Sequence, residues 1–143
     1  MDKVLTCFNK RLICFPWAGG GSIHYARWAK TLNSSIEVYS VRLPGREGRA
    51  KEPFFLNMQE IIDEIIGVLL PHLREKPFAL FGHSFGAMTC FAFAEHVKKV
   101  YNLEPIHMFL SGASAPYLTS HMRTYGPFEW LLRVAVRSLR CSR

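Results

Sequence analysis

The stretch Phe78-Ala79-Leu80-Phe81-Gly82-His83-Ser84-Phe85-Gly86-Ala87 decides the fold. Four apolar residues typical of a buried strand lead into a pentapeptide of the form G-x-S-x-G, and a helical pattern continues from Gly86 to about Tyr101. In that order, strand, pentapeptide and helix form the sharp turn that presents a serine hydroxyl above a sheet. The two glycines leave room where side chains would collide with neighbouring elements. The alternative is an ordinary tight turn between a strand and a helix.

Further apolar runs and helical patterns surround this turn in alternating order. Strands are predicted at Leu12–Phe15, Ile36–Leu43, Phe78–Phe81 and Ile106–Leu110, and helices from Ser22, from Asn57 and from Gly86. Asn57 with Glu60 three residues later has the spacing of a capping box, and Pro71 is expected to kink or end that helix. Strands that alternate with helices predict an α/β fold with a mostly parallel sheet.

A glycine-rich loop, Pro16–Gly21, follows the first predicted strand. A serine hydrolase needs two backbone N–H groups aimed at the oxyanion, one after the nucleophile and one from a loop beyond an earlier strand. Phe85 follows Ser84, and Trp17 or Ala18 is placed to give the second donor. The motifs therefore predict acyl transfer to a serine.

The same loop permits a second interpretation, a phosphate site formed by Gly19-Gly20-Gly21 ahead of a helix that Ser22 would cap. The loop lacks the lysine and hydroxyl ending of a P-loop, and it lacks the G-x-G-x-x-G spacing. No cluster of residues has metal-ligand spacing, and acyl transfer to serine needs no cofactor. We therefore predict neither a metal nor a cofactor.

Composition limits the class of protein. The chain has 143 residues, 49% hydrophobic and 20% charged, as expected of one soluble globular domain. No stretch approaches about 18 consecutive apolar residues, and the N-terminus shows no secretory pattern, so we expect a cytosolic protein without stable membrane insertion. The four cysteines show no disulfide framework, and two of them lie in apolar segments as reduced core residues. The two in apolar segments are Cys14 and Cys90, and the other two are Cys7 and Cys141.

The net charge of +7 is unevenly distributed, because four arginines and no acid follow Glu129. We predict that residues 1–116 form the folded part and that residues 117–143 form a divergent, basic, helical tail. A basic surface suits an acidic carrier protein or an anionic membrane as well as simple solvation. The apolar stripe of the tail would also let it dock on the sheet. No motif that reads nucleic acid is present, so nucleic-acid binding is not expected.

Four segments in register resemble the ordered signatures of the type II thioesterases. They are Phe15–Gly20, Arg42–Glu47, Gly82–Gly86 and Ser111–Pro116. The resemblance runs from about Lys10 to Pro116 and is greatest to the members that serve fatty acid synthase. It implies that residues 1–116 are the N-terminal part of an α/β-hydrolase fold. It further implies that Ser84 is the nucleophile and that the N–H groups of Ala18 and Phe85 form the oxyanion hole.

The resemblance also implies a substrate. Ser84 would attack an acyl thioester on the acyl carrier protein of fatty acid synthase, and water would then release a medium-chain free fatty acid. A carboxylic ester hydrolase of the same fold is an alternative, because the motifs alone give only acyl transfer. For Arg42–Glu47, two interpretations stay open, a turn whose arginines pair with surface carboxylates and a substrate contact.

The acid and the base of a Ser-His-Asp triad are not found in the sequence. In this fold they follow the serine in the order acid, then histidine, but no aspartate follows Ser84. His96 is predicted in a helix and His107 in a strand, which leaves His121 in a loop, with Glu129 after it in the wrong order. We therefore expect a C-terminally truncated or alternative form that lacks the last strands. A second alternative is an inactive fragment that retains carrier-protein or synthase binding.

Overall fold

A four-stranded parallel sheet forms the centre of the computed structural model, which describes residues 9–113. Its strands are β1 (Lys10–Phe15), β2 (Ile36–Ser40), β3 (Phe78–His83) and β4 (His107–Ser111). They lie in the order β2-β1-β3-β4, and all three neighbouring pairs are parallel. The predicted α/β fold is confirmed. The predicted tail, residues 117–143, lies outside the described residues together with His121 and Glu129.

Helices cover both faces of this sheet. They are α1 (Ser22–Ala26), α2 (Met58–Glu75) and α3 (Phe85–Tyr101). Helices α2 and α3 contact each other, and α3 lies on the face where the rings of Phe15 and Phe93 are 5.4 Å apart. Helix α1 lies on the opposite face, where the rings of Tyr25 and Phe81 are 5.5 Å apart. Because side chains alternate along a strand, each strand contributes to both layers of the core.

Helix α2 has the predicted cap and buries one apolar stripe. Asn57 accepts a hydrogen bond from the Glu60 N–H at 3.0 Å, and the Glu60 carboxylate accepts one from the Leu56 N–H at 2.8 Å. The buried stripe consists of Ile61, Ile62, Ile65, Ile66, Leu69 and Leu73. Pro71 does not end the helix, which continues to Glu75. Its ring is exposed, so water can serve the backbone carbonyl that loses its partner there.

The structure changes the end of one predicted element and the cap of another. Strand β2 ends at Ser40, not at Leu43, although the Val41 N–H still donates to the Cys14 carbonyl at 2.9 Å. Helix α1 ends at Ala26, and a short 3-10 turn, Arg27–Lys30, follows it directly. The expectation that Ser22 caps α1 is wrong, since the N-cap position belongs to the residue before it and no side chain from α1 caps it.

The two cysteines of the described residues are core residues. Cys14 and Cys90 are free thiols that are fully buried, as predicted. Burial raises the pKa of the Cys14 thiol to about 12. Both side chains therefore remain protonated, unreactive apolar filling at physiological pH.

A buried arginine ties three elements together at the end of the sheet where the strands begin. Arg11 is 2% exposed and donates to Glu37 at 2.8 Å, to Glu75 at 3.2 Å and to the carbonyl of His72. Its guanidinium also lies 4.4 Å from the centre of the Tyr39 ring. A guanidinium can be removed from water here because carboxylates, a carbonyl and an aromatic face replace its hydration.

Glu37→Gln should lower the free energy of unfolding by about 1–2 kcal/mol at neutral pH, because the amide loses its charge-assisted bonds to Arg11 and Lys76. Partial burial alone would raise the pKa of the Glu37 carboxyl, but those bonds and charges outweigh burial and lower it. The stabilisation is therefore present above the unfolded pKa of about 4.3 and is lost as the pH falls through the lower folded pKa.

Urea unfolding of both proteins from neutral pH to about pH 3 measures this difference. The matched control is Glu104→Gln, which removes an exposed carboxylate paired with Lys98 and should cost less than about 1 kcal/mol. A difference between wild type and Glu37→Gln that stays constant across the pH range would contradict the assignment.

Candidate active site

Ser84 lies in the sharp turn between β3 and α3, in a backbone conformation that L-residues rarely adopt. Its φ is 54° and its ψ is −118°. Its N–H donates to the Ser111 carbonyl at 2.8 Å, and its carbonyl accepts from the Ala87 N–H at 2.9 Å. Residue 84 is exposed, so its hydroxyl is accessible to solvent. Strain of this kind costs about 1–3 kcal/mol and persists only where the surroundings enforce it.

Two glycines allow the surroundings to enforce this turn. A Cβ on Gly86 would lie 2.7 Å from the Pro16 carbonyl oxygen, and a Cβ on Gly82 would lie 2.7 Å from the Ala87 nitrogen. Both neighbours are backbone atoms, which cannot move aside without shifting a strand or a helix. In the sheet, Gly82 pairs with Phe15, the last residue of β1. The start of α3 therefore packs directly on the loop that follows β1.

The two N–H groups predicted for the oxyanion hole lie on these adjoining segments. Phe85 is the first residue of α3, where an N–H has no acceptor inside the helix. Ala18 is an exposed residue of the loop Pro16–Gly21. Neither N–H forms a hydrogen bond with another residue of the range 9–113. The first turn of α3 also carries no acidic residue, so nothing there opposes the positive end of the helix dipole.

Arg46 holds this loop from the side of β2. Its Nη1 donates to the Trp17 carbonyl at 3.1 Å and to the Gly20 carbonyl at 2.8 Å. The Gly20 N–H donates to the same Trp17 carbonyl at 2.9 Å, so the loop also closes on itself. A Cβ on Gly20 would lie 2.7 Å from the indole ring of Trp17, which explains the glycine. The partners of this arginine are thus backbone carbonyls, a possibility that the sequence analysis missed.

Glu47 takes the role that the sequence predicted for Ser22 at the start of α1. Its carboxylate accepts from the Ile23 N–H at 3.0 Å and from the Ser22 hydroxyl at 2.6 Å, and Arg42 lies 3.1 Å from it. Partial burial alone would raise the pKa of Glu47, but these hydrogen bonds and the arginine charge outweigh burial and lower it. A Cβ on Gly21 would overlap this carboxylate. The Arg42–Glu47 ion pair agrees with one of the two interpretations of this segment, a turn whose arginines pair with carboxylates.

The described histidines that follow Ser84 lie far from it. His107 begins β4 opposite Ala79, four residues before Ser111, which is about 13 Å along a strand. His96 is twelve residues from Ser84 along α3, or about 18 Å along the helix. Neither side chain can accept the Ser84 proton in this structure.

His83 precedes Ser84 directly, but its ring is engaged with β4. Its Nδ1 lies 3.1 Å from the Ser111 hydroxyl oxygen. A Cβ on Gly112 would lie 2.6 Å from the ring, so the chain after β4 also packs closely on this histidine. The contacts of His83 therefore support the turn and leave the base of a triad unassigned.

Neither a metal-binding cluster nor a membrane-spanning helix occurs in the part of the chain that the structure describes. No group of three or more histidine, cysteine, aspartate or glutamate side chains there is arranged to hold a metal ion. None of the helices there combines the length and the apolar character that crossing a membrane requires.

Similarity to known proteins extends over most of the chain. The model of the thioesterase domain family matches residues 10–130. The chain belongs to the thioesterase family. It is 51% identical over 125 residues to the medium-chain S-acyl fatty acid synthase thioesterase of Rattus norvegicus and 46% identical over 119 residues to that of Homo sapiens. These alignments cover 83% and 79% of this chain but 48% and 45% of the relatives, so the chain spans about half the length of these curated proteins.

Solved thioesterase structures share the fold. The RedJ thioesterase from the prodiginine pathway of Streptomyces coelicolor matches 92% of this chain and 49% of its own, with a TM-score of 0.72 and 32% identity. Human thioesterase 2 matches 78% of this chain and 44% of its own, with a TM-score of 0.59 and 33% identity. The resemblance to thioesterases of the α/β-hydrolase type is therefore confirmed.

Ser84→Gly should have a free energy of unfolding about 1 kcal/mol higher than Ser84→Ala. Both substitutions remove the hydroxyl, but only glycine adopts a φ of 54° without strain. Denaturant unfolding of the two variants measures the difference. An alanine variant as stable as the glycine variant would show that the turn is not strained.

Gly86→Ala should lower the free energy of unfolding by about 3 kcal/mol or more, because the new methyl group meets the backbone of Phe15 and Pro16. The control is Gly67→Ala in α2, where a Cβ meets nothing within 4 Å. That change should raise the free energy of unfolding by about 0.5–1 kcal/mol, since alanine favours a helix. Similar losses from both substitutions would argue against a special contact at Gly86.

Proposed function

We propose that this thioesterase-family chain hydrolyses acyl thioesters, with Ser84 as the acyl-accepting nucleophile and the N–H groups of Ala18 and Phe85 as the oxyanion hole. The observation that carries the proposal is the strained, exposed turn at Ser84, at the start of α3 and against the loop after β1. Family membership supports a thioester as the substrate.

The proposed reaction proceeds in two halves. The Ser84 Oγ attacks the thioester carbonyl carbon while its proton passes to a base, and the carbonyl oxygen becomes an oxyanion between the two N–H groups. The carbon–sulfur bond then breaks, and the thiol leaves with a proton. Water repeats the attack on the acyl-serine and frees the carboxylic acid and the serine hydroxyl. Each oxyanion donor supplies about 2.7–4 kcal/mol of transition-state stabilisation.

The proposed substrate is a medium-chain acyl group on the acyl carrier protein of fatty acid synthase, in the cytosol. The medium-chain fatty acid synthase thioesterases of rat and human, at 51% and 46% identity, support this choice. The net charge of +7 supports an acidic carrier as the partner, since opposite charges steer association. A carboxylic ester remains the alternative substrate class, because acyl transfer to serine serves both.

A second candidate function is binding of the carrier protein or the synthase without turnover. The observation that favours it is the lack of an assigned acid and base. No aspartate follows Ser84 in the sequence, and His96 and His107 lie out of reach. Loss of a triad costs on the order of 10⁶ in turnover, so the two candidates differ in a measurable quantity.

Labelling with a fluorophosphonate probe, together with turnover of a medium-chain acyl-carrier protein, tests the proposal. We expect one label per chain and release of the free acid, because the turn presents an exposed Ser84 hydroxyl beside the proposed oxyanion donors. Ser84→Ala should abolish the label and lower turnover by at least about 10³-fold, with its melting temperature confirming the fold.

Three results separate the candidates. Labelling without turnover would favour the binding function. Equal or faster hydrolysis of the matching oxygen ester would favour the ester hydrolase. Absence of the label on a folded chain would remove Ser84 as the nucleophile.

A further inference from the structure

We propose that Arg46 is the positioning residue for the oxyanion donor on Ala18. Its guanidinium fixes the peptide group between Trp17 and Ala18 and thereby aims the Ala18 N–H. This inference rests on the oxyanion hole of the proposed function and gives a role in it to one arginine of the segment Arg42–Glu47.

The geometry of one peptide group carries the inference. The Trp17 carbonyl and the Ala18 N–H belong to the same planar unit, and because the peptide is trans they point in opposite directions. The Arg46 Nη1 donates to that carbonyl at 3.1 Å. A cation on the oxygen side therefore sets the direction of the N–H on the other side. It also polarises the peptide, which makes the N–H a stronger donor.

A second bond from the same nitrogen restricts the loop further. The Arg46 Nη1 donates to the Gly20 carbonyl at 2.8 Å, on the other side of Ala18 and Gly19 from the first carbonyl. Gly19 has a φ of 76°, so the chain reverses its course between the two held carbonyls. Rotation of the Ala18 peptide would break a charge-assisted hydrogen bond, which is about twice as strong as a neutral one.

Arg46 is not paired with a carboxylate of residues 9–113. Arg42 pairs with Glu47, and Arg49 pairs with Glu52 and Glu64, all in the same region of the chain. Arg46 forms no ion pair within residues 9–113, and its contacts there are the two loop carbonyls. Its full positive charge therefore acts on the loop backbone, on the side opposite the proposed oxyanion.

The turn that carries Arg46 is itself fixed. The next residue, Glu47, has a φ of 48°, a strained value for a residue with a side chain. Its carboxylate is bound to the start of α1 through the Ile23 N–H. Before Arg46, Gly45 has a φ of 78° and donates its N–H to the Arg49 carbonyl at 2.9 Å. Because hydrogen bonds hold this turn on both sides of Arg46, the backbone that carries the positioning side chain is itself fixed.

The test compares Arg46→Gln and Arg46→Lys with the matched control Arg49→Gln. Arg49 lies three residues away in the same turn, and its partners are carboxylates and the Arg42 carbonyl, not the loop after β1. Two quantities are measured on each full chain. They are the rate constant of Ser84 labelling by a fluorophosphonate and the backbone order parameter of the Ala18 N–H from NMR relaxation.

Arg46→Gln should slow the labelling by about 10- to 100-fold, less than complete loss of a donor, because the N–H remains but is no longer held. The order parameter of the Ala18 N–H should fall from a value near about 0.85 toward about 0.6. Arg46→Lys should give intermediate values, since an ammonium keeps the charge, but its more flexible side chain does not hold the donor at the position of Nη1. Arg49→Gln should change neither quantity, and its melting temperature shows the cost of losing an arginine from this turn.

Each remaining outcome decides a different claim. If the labelling rate is unchanged, or the Ala18 order parameter is unchanged, or Arg49→Gln matches Arg46→Gln in both, the positioning role is overturned. If the wild-type chain is not labelled at all, the proposed nucleophile fails. The order parameter of Ala18 then still decides whether Arg46 fixes the loop.

Discussion

The close approach of α3 to the end of β1 is the contact on which the site depends. It exists because Gly86 has no Cβ, so the helix can rest against the backbone of Phe15 and Pro16. With the helix held there, the chain must pass from β3 to α3 in very few residues, and Ser84 takes a positive φ. The same contact brings the loop after β1 beside the helix N-terminus. The strained residue and its neighbouring N–H groups thus follow from one packing constraint.

The sequence predicted the elements whose signals are local. The strand, pentapeptide and helix around Ser84 follow from residues next to one another, and the cap of α2 from Asn57 and Glu60, three residues apart. The parallel sheet followed from the alternation of strands and helices, which excludes most other connections. The prediction for Pro71 also came from a local rule, which allowed either a kink or an end. The helix does not end there but continues to Glu75. The exposure of Pro71 to solvent, which lets water serve the lost bond, is not a local property of the sequence.

The support of the loop could not be predicted, because its partners are distant along the chain. Arg46 reaches carbonyls 26 and 29 residues away, and Glu47 reaches the Ser22 hydroxyl 25 residues away. These residues meet only because β1 and β2 are parallel neighbours whose ends lie at the same edge of the sheet. Ser22 has the residue type of an N-cap, but it is the first residue inside α1. The carboxylate of Glu47, from the loop after β2, accepts from the Ile23 N–H at the helix start instead.

Two charged groups contact the loop after β1: Arg46, which binds two of its carbonyls, and Glu47, whose carboxylate is paired with Arg42. Glu47 is the acid that contacts the loop region, and Ser22, Ile23 and Arg42 engage its carboxylate. Because the pKa of Glu47 is lowered, its carboxylate stays ionised and keeps its bonds even in the pH range in which an ordinary glutamate titrates. It loses them only as the pH falls through the lowered value. What faces the proposed oxyanion is then a set of dipoles, oriented before the reaction by Arg46 and by α3. Dipoles held in advance need not reorganise when negative charge develops, which is the condition under which they accelerate acyl transfer.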